Sequence, residues 1–401
     1  MDYVFSKGMG GVKSSAVREI LKLTQGNTII SFAGGLPAEE LFPLDAVRAA
    51  YDRVFLKGKG VLQYNLTEGF APLREKIAER MALKNMRVTK DEIILTTGSQ
   101  QSIDLMSRIY LDPGDVVLVE NPTYLAALQV FHSRGVQIVA VESDANGMLL
   151  DDLASKLAQH KPKMVYVVPT FSNPTGRVWS LERRLGLLQA CKANHVLILE
   201  DDPYGEVQFD RSETYPTIFS LDEHPHGSAV VYTSTFSKTV APALRTGWVL
   251  GDPAVIAMLA RAKQSADLHS SATDQQALYE LLSCEEFSLD AHIALISSNY
   301  EERMRFMVEL LRDPAFEGLT FREPKGGMFI WVELPEGMDA EVLMKLAVAQ
   351  GVAFVPGSSF YAGEPRRNTL RMNYTHTDRE TTVVGMERLK AALAQLAIGQ
   401  A

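Results

Sequence analysis

Four stretches of the chain place hydroxyls, amides, acids or a lysine at the close of short apolar runs rich in Val and Ile. In α/β sheets, ligands settle in the crevice beyond the carboxyl ends of the strands, so these positions are where chemistry is sought first. At Thr96-Thr97-Gly98-Ser99-Gln100-Gln101 a strand stops at Gly98 and a helix begins. The unsatisfied amides of that helix start, together with the Ser99 hydroxyl, form a cradle for an anion such as phosphate. Taken alone, Ser99 reads as a helix N-cap. In Thr170-Phe171-Ser172-Asn173-Pro174-Thr175-Gly176 the proline holds Asn173 extended and fixes its direction, with a plain turn as the simpler reading. Glu200-Asp201-Asp202 closes the apolar run Ile198-Leu199, where adjacent carboxylates repel and are costly to desolvate. Either all three acids are exposed or one needs a cationic partner, and no basic residue nearby in sequence supplies it. The fourth stretch, Thr233-Ser234-Thr235-Phe236-Ser237-Lys238, is followed by Arg245. A phosphate, a cationic nitrogen and a reactive aldehyde would satisfy the cradle, the acids and the lysine at once, and pyridoxal phosphate carries all three on one molecule.

The elements that must hold these residues follow from hydrophobic period. From about residue 91, apolar runs alternate with segments of helical period, as parallel sheets with crossover helices read. The runs are Ile93 to Thr97, Val116 to Glu120, Val136 to Val141, Met164 to Pro169, Val196 to Asp201, Ala229 to Thr235 and Gly247 to Leu250, which predicts an α/β fold with one seven-stranded, mostly parallel sheet. Ahead of them lie a short amphipathic helix from Ser14 to Thr24, an extended stretch from Ile29 to Leu36 and a helix ending near Lys57. Beyond residue 300 the pattern changes to that of a smaller α+β unit. Expected boundaries are an arm over 1–44, a large domain over 45–300 and a small domain over 301–401.

Composition narrows the functional classes. At about 150 residues per domain, 401 residues predict two to three domains. A net charge of -9 offers no broad cationic surface, so nucleic acid is not an expected partner. No run approaches the roughly 18 apolar residues of a membrane span, so no membrane association is expected. Cys191 and Cys284 lie far apart without metal-ligand spacing and the first ten residues do not read as a leader, which together predict a reduced cytoplasm and no metal.

The chain resembles the pyridoxal-phosphate-dependent aminotransferases of fold type I from about Ser14 to its end, and within them the 2-aminoadipate (LysN-type) and kynurenine aminotransferase branch. The stretches that carry this are SFAGGLPAEELFP from Ser31, QYNLTEG from Gln63, TTGSQQ from Thr96, SNPTG from Ser172, EDDPY from Glu200, STFSK from Ser234, PKGGMF from Pro324 and NTLRMNY from Asn368. The resemblance implies that Lys238 binds the cofactor covalently and shuttles the proton at the substrate Cα. It implies that Asp201 pairs with the pyridinium nitrogen, that Tyr204 and Asn173 meet the phenolic oxygen, and that Tyr124 stacks on the ring. Ser99, Gln100, Thr235 and Arg245 would hold the phosphate, with Ser237 a further candidate and Tyr64 reaching in from the second subunit of a homodimer with shared active sites. Arg371 would clamp the substrate carboxylate, Gly34 and Gly35 would let the arm approach it, and Arg18 would meet an acidic side chain or simply pair with Glu19 or Glu39.

The activity so implied is transfer of an amino group from an L-amino acid to a 2-oxo acid. 2-Oxoglutarate is the expected acceptor in a ping-pong cycle, and a 2-aminoadipate, aromatic or branched/aliphatic donor is expected. A β-lyase or a decarboxylase on the same fold would use the same Lys238, Asp201 and Arg371. A cofactor-sensing transcription regulator is disfavoured by the negative charge and by a chain that starts almost at the arm. No arginine is placed for a distal carboxylate, and the Arg261 to Ser271 stretch offers Lys263, Asp267 and His269 instead.

Overall fold

The computed structural model describes residues 1–10, 16–23, 29–222 and 226–400. Seven strands form the central sheet: β1 (Ile93–Thr96), β2 (Val116–Glu120), β3 (Gln137–Val141), β4 (Met164–Val167), β5 (Leu197–Asp201), β6 (Val230–Thr235) and β7 (Gly247–Leu250). Their order is β1-β7-β6-β5-β4-β2-β3. Each apolar run of the sequence from Ile93 to Leu250 is one of these strands. β1, β4, β5, β6 and β7 are buried along their whole length, which is why they read as continuous apolar runs rather than as alternation.

All pairings in this sheet are parallel except those of β7, which runs against β1 and β6. The exception matters for the site. Parallel strands end at the crevice, whereas β7 begins there, with Gly247 opposite both Thr96 and Thr235. Arg245, two residues upstream, is thereby delivered to the edge where Ser99 and Thr235 also arrive. A Cβ on Gly247 would lie 2.8 Å from the Gly98 carbonyl carbon, the Ser99 amide nitrogen and the Ser234 carbonyl oxygen, so close packing at this edge needs glycine.

The second sheet has the strands β8 (Thr320–Phe321), β9 (Phe329–Glu333), β10 (Val355–Pro356) and β11 (Thr369–Asn373), in the order β8-β9-β11-β10 and antiparallel throughout. Arg371 sits at its centre, between Trp331 and Val355. The extended stretch after the helix Ala16–Leu23 forms a two-residue strand, with Ile30 and Ser31 opposite Val352 and Ala353, and the Phe32 carbonyl accepts from the Asn373 amide. That pairing ties the arm to the small sheet, with Phe32 and Ala33 wholly buried in the same core as Phe329 and Tyr374.

Eight helices matter below: α1 (Ala16–Leu23), α2 (Leu44–Leu56), α3 (Gly98–Tyr110), α4 (Leu125–Ser133), α5 (Leu181–Asn194), α6 (Ile218–Leu221), α7 (Pro253–Ala266) and α8 (Ala272–Ser283). The helix expected over Ser14 to Thr24 is α1. The ends of that expectation, residues 14, 15 and 24, lie outside the described residues. No helix among the described residues is long and apolar enough to cross a membrane, and no group of three potential metal ligands occurs among them.

Candidate active site

A cavity of about 280 Å³ opens where the carboxyl ends of β1, β4, β5 and β6 face the second sheet. Its lining includes Gly35, Ser99, Gln100, Tyr124, Asn173, Asp201, Tyr204, Thr235, Ser237, Lys238, Arg245 and Arg371. Residues separated by as much as 336 positions thus meet in one crevice, as the strand-end argument requires. Three of the expected residues do not line it, the first being Gly34, whose neighbour Gly35 does. Tyr64 is 78% exposed and packs edge-on against His269, outside the cavity. Arg18 is exposed on α1 and does not line it either.

The acids resolve into three different roles. Glu200 accepts from the backbone amides of Ile218 and Phe219 at 2.8 and 2.9 Å, so it holds the start of α6. Asp202 accepts from the Tyr232 hydroxyl at 2.9 Å and has Lys84 at 3.8 Å. Lys84, distant in sequence, is the cation that local reading could not supply. Asp201 has no such cation among the described residues. Its Oδ2 accepts from the Tyr166 hydroxyl at 2.8 Å, while Oδ1 is buried without a partner. Burial pushes its carboxyl up to about 7, which the Tyr166 hydrogen bond partly opposes and Asp202 reinforces. A carboxylate so desolvated is a ready partner for a positive nitrogen entering the cavity.

In the same cavity as Asp201, the Lys238 ammonium donates to the Gly35 carbonyl at 2.9 Å and lies 6.0 Å from the Tyr204 ring centre. Burial, then the Arg371 and Arg245 charges, lower it to about 8. This brings the neutral, nucleophilic amine within reach of ordinary pH. Arg245 adopts left-handed backbone angles and points one nitrogen at the Ser237 hydroxyl and another at the Thr97 carbonyl, 3.5 and 3.4 Å away. Gly98 has φ +72°, and a Cβ there would come within 2.6 Å of the Arg245 guanidinium. The cradle therefore closes around a backbone that admits no side chain.

Arg371 is 2% exposed. It donates to Asn173 Oδ1 at 2.6 Å and to the Ala33 carbonyl at 2.5 Å, and its guanidinium lies 4.2 Å from the Phe329 ring centre and 5.1 Å from that of Phe360. Its Nε is buried without a partner, and burial lowers it to about 10. A planar cation held on two edges beside a buried cavity suits two-point binding of a carboxylate. Lys263, Asp267 and His269 do not face the substrate space: the first two bond to Gln101 behind the cradle, and His269 accepts from the Asn65 amide at 3.3 Å.

Sequence reasoning missed Tyr166, Lys84, Phe329 and Phe360. The hydroxyl of Tyr166 in an otherwise apolar strand was the available signal, because β4 is the neighbour of β5.

The family profile for aminotransferase class I and II matches residues 28–389, and the chain belongs to that family. It is 39% identical over 393 residues to the 2-aminoadipate transaminase of Thermus thermophilus, covering 98% of this chain and 97% of the relative. It is also 39% identical over 404 residues to aromatic-amino-acid aminotransferase 1 of Thermococcus litoralis, covering 98% and 95%. The crystal structure of LysN, the α-aminoadipate aminotransferase of Thermus thermophilus, complexed with N-(5'-phosphopyridoxyl)-L-leucine, matches with a TM-score of 0.90 at 38% identity over 98% of both chains. The fold is that of the fold type I aminotransferases and the protein is a pyridoxal-phosphate-dependent aminotransferase, acting on amino acids and oxo acids. The residues present fit that cofactor: a lysine whose burial lowers its pKa to about 8, an unpartnered buried carboxylate oxygen, and Ser99, Gln100 and Arg245 at a helix start line one cavity.

Proposed function

We propose that this enzyme moves the amino group of an aromatic, aliphatic or 2-aminoadipate-like L-amino acid to 2-oxoglutarate in a ping-pong cycle. The observation that carries the reading is the facing arrangement of Lys238, Asp201 and Arg371 around one cavity. The bound cofactor supplies an electron sink for the pair released at the substrate Cα. The chain's own residues do the rest. Arg371 would bind the α-carboxylate and, with Asn173, hold the substrate in the orientation that presents one Cα bond for cleavage. Lys238, as the neutral amine, would take and return the proton at the substrate Cα. Asp201 would hold the ring nitrogen, Tyr204 and Asn173 would hold the phenolic oxygen, and Tyr124 would lie against the ring. Ser99, Gln100, Thr235 and Arg245 bind the phosphate, with Ser237 supporting Arg245.

The reading extends to assembly. Tyr64, Leu62 and Leu66 are exposed beside one another in sequence, which supports a homodimer in which Tyr64 completes the partner's phosphate site. Residues 1–44 then act as an arm over the substrate, 45–300 as the cofactor domain and 301–401 as the small domain. A cytoplasmic setting, without nucleic acid or membrane partners, suits the unpaired cysteines and the negative charge.

The test is an absorbance scan of purified protein with a panel of L-amino acids and no acceptor. An acceptor-free donor should bleach the visible cofactor band in a single turnover and release its oxo acid. A band that no donor alters, or release of ammonia or carbon dioxide instead, refutes transamination.

A further inference from the structure

Lys263 lies in α7 with its side chain wholly buried, an arrangement that costs free energy unless partners compensate it. Its ammonium donates to Gln101 Oε1 at 2.7 Å, to Ser270 Oγ at 2.8 Å, and to the Asp267 oxygens at 2.8 and 2.9 Å. Asp267 in turn accepts from Gln101 Nε2 at 2.7 Å and from the Thr97 hydroxyl at 3.2 Å. The same hydroxyl is 2.9 Å from Ser270 Oγ, and Gln101 Oε1 accepts from the Thr97 amide at 2.8 Å. Four side chains from two segments of the chain, Gln101, Lys263, Asp267 and Ser270, thus form one network, and three of them bond Thr97 directly.

Thr97 is the N-cap of α3, the helix whose first turn forms the anion cradle. A threonine there ordinarily turns its hydroxyl onto the amide of the second or third helical residue, here Ser99 or Gln100. In this protein Thr97 makes no such cap bond. Its hydroxyl is held outward by Asp267 and Ser270, and its carbonyl accepts from Arg245. The first-turn amides are therefore not satisfied by their own cap and stay available on the side where Ser99, Gln100 and Arg245 line the cavity.

We propose that Lys263 and Asp267 are positioning residues that withhold the Thr97 hydroxyl from α3 and so keep the helix start open and aimed for the cofactor phosphate. The inference rests on the reading of Ser99, Gln100 and Arg245 as the phosphate cradle. Without the pair, the Thr97 hydroxyl rotates onto its own helix and competes with the phosphate for the same amides. A fold-stabilising ion pair would support cofactor-free and cofactor-loaded protein alike, whereas this device acts on the loaded state.

The test measures the dissociation constant for pyridoxal phosphate by equilibrium dialysis, the 31P resonance of the bound cofactor, and Tm with and without cofactor. Lys263→Met and Asp267→Asn should each weaken cofactor binding by about tenfold or more, move the 31P line and shrink the rise in Tm on loading. If Lys263→Met does not fold, Asp267→Asn alone carries the test. In a Thr97→Val background, where no hydroxyl can cap the helix, the same substitutions should have a smaller effect. An affinity within about twofold of the parent, or losses that multiply fully with Thr97→Val, overturns the inference. Ser99→Ala and Arg245→Met serve as the reference. If these leave affinity unchanged, the cradle assignment has failed, not the role of Lys263.

Discussion

Replacing Asp201 by asparagine separates what the carboxylate costs the fold from what it gives the reaction. Asp201 is 2% exposed, and in the cofactor-free protein burial raises it from 3.8 to about 7. A carboxyl that holds its proton more tightly when folded leaves stability untouched below the unfolded value and subtracts from it as pH rises through the folded one. The window therefore runs from about pH 4 to pH 7, and at about 1.4 kcal/mol per unit the full cost is on the order of 4 kcal/mol above it. Asparagine does not titrate and still accepts the Tyr166 hydroxyl, so it escapes this cost. Cofactor-free Asp201→Asn should thus match the parent near pH 4 and exceed it by about 2 to 4 kcal/mol at pH 8 in urea unfolding. Loading should reverse the order, because the parent carboxylate gains a cationic partner and the amide does not. Turnover should fall on the order of a thousandfold while cofactor affinity falls far less. A stability difference that is flat between pH 4 and 8 would refute the claim that desolvation dominates at Asp201. An unchanged turnover would refute its pairing with the ring nitrogen.

Three further outcomes are expected. Because the Lys238 amine sits near 8, the rate of cofactor capture should rise with pH around that value rather than near 10.5, and Arg371→Met should move the midpoint upward by removing a repelling charge. Stopped-flow absorbance at several pH values reads both. Arg371→Lys keeps the charge but loses the planar fork, so KM for the amino acid should rise about a hundredfold with a smaller change in kcat, and equal losses in both would contradict a carboxylate clamp. Arg184 is wholly buried and donates to the carbonyls of Trp179, Pro216 and Pro169 and to the Thr170 hydroxyl. Arg184→Met should destabilise the fold by about 3 to 5 kcal/mol in urea, and a loss under about 1 kcal/mol would show that those groups find other partners.

What the sequence made legible follows from chain-local physics. A strand buried on both faces must be apolar, and a polar residue at its end must have a use, so β1, β5 and β6 and the residues after them could be read directly. Contacts between strands could not. Asp201 is one of three consecutive acids, and only the sheet order shows that Tyr166 on β4 reaches it while Tyr232 and Lys84 engage Asp202. The antiparallel course of β7 was equally invisible, because a buried strand has the same composition in either direction, yet that course brings Arg245 to the cradle.

Lys263, Asp267 and His269 illustrate the same limit from the other side. Spacing alone leaves open what charged residues near a binding motif contact. The side-chain direction decides: Lys263 on α7 and Asp267 just beyond its end turn toward the back of the cradle, where Asp267 bonds the Thr97 hydroxyl and Lys263 bonds Asp267. Within a helix the period says which residues share a face. It does not say which neighbour that face meets, and the chemistry of Lys263 depends on that neighbour.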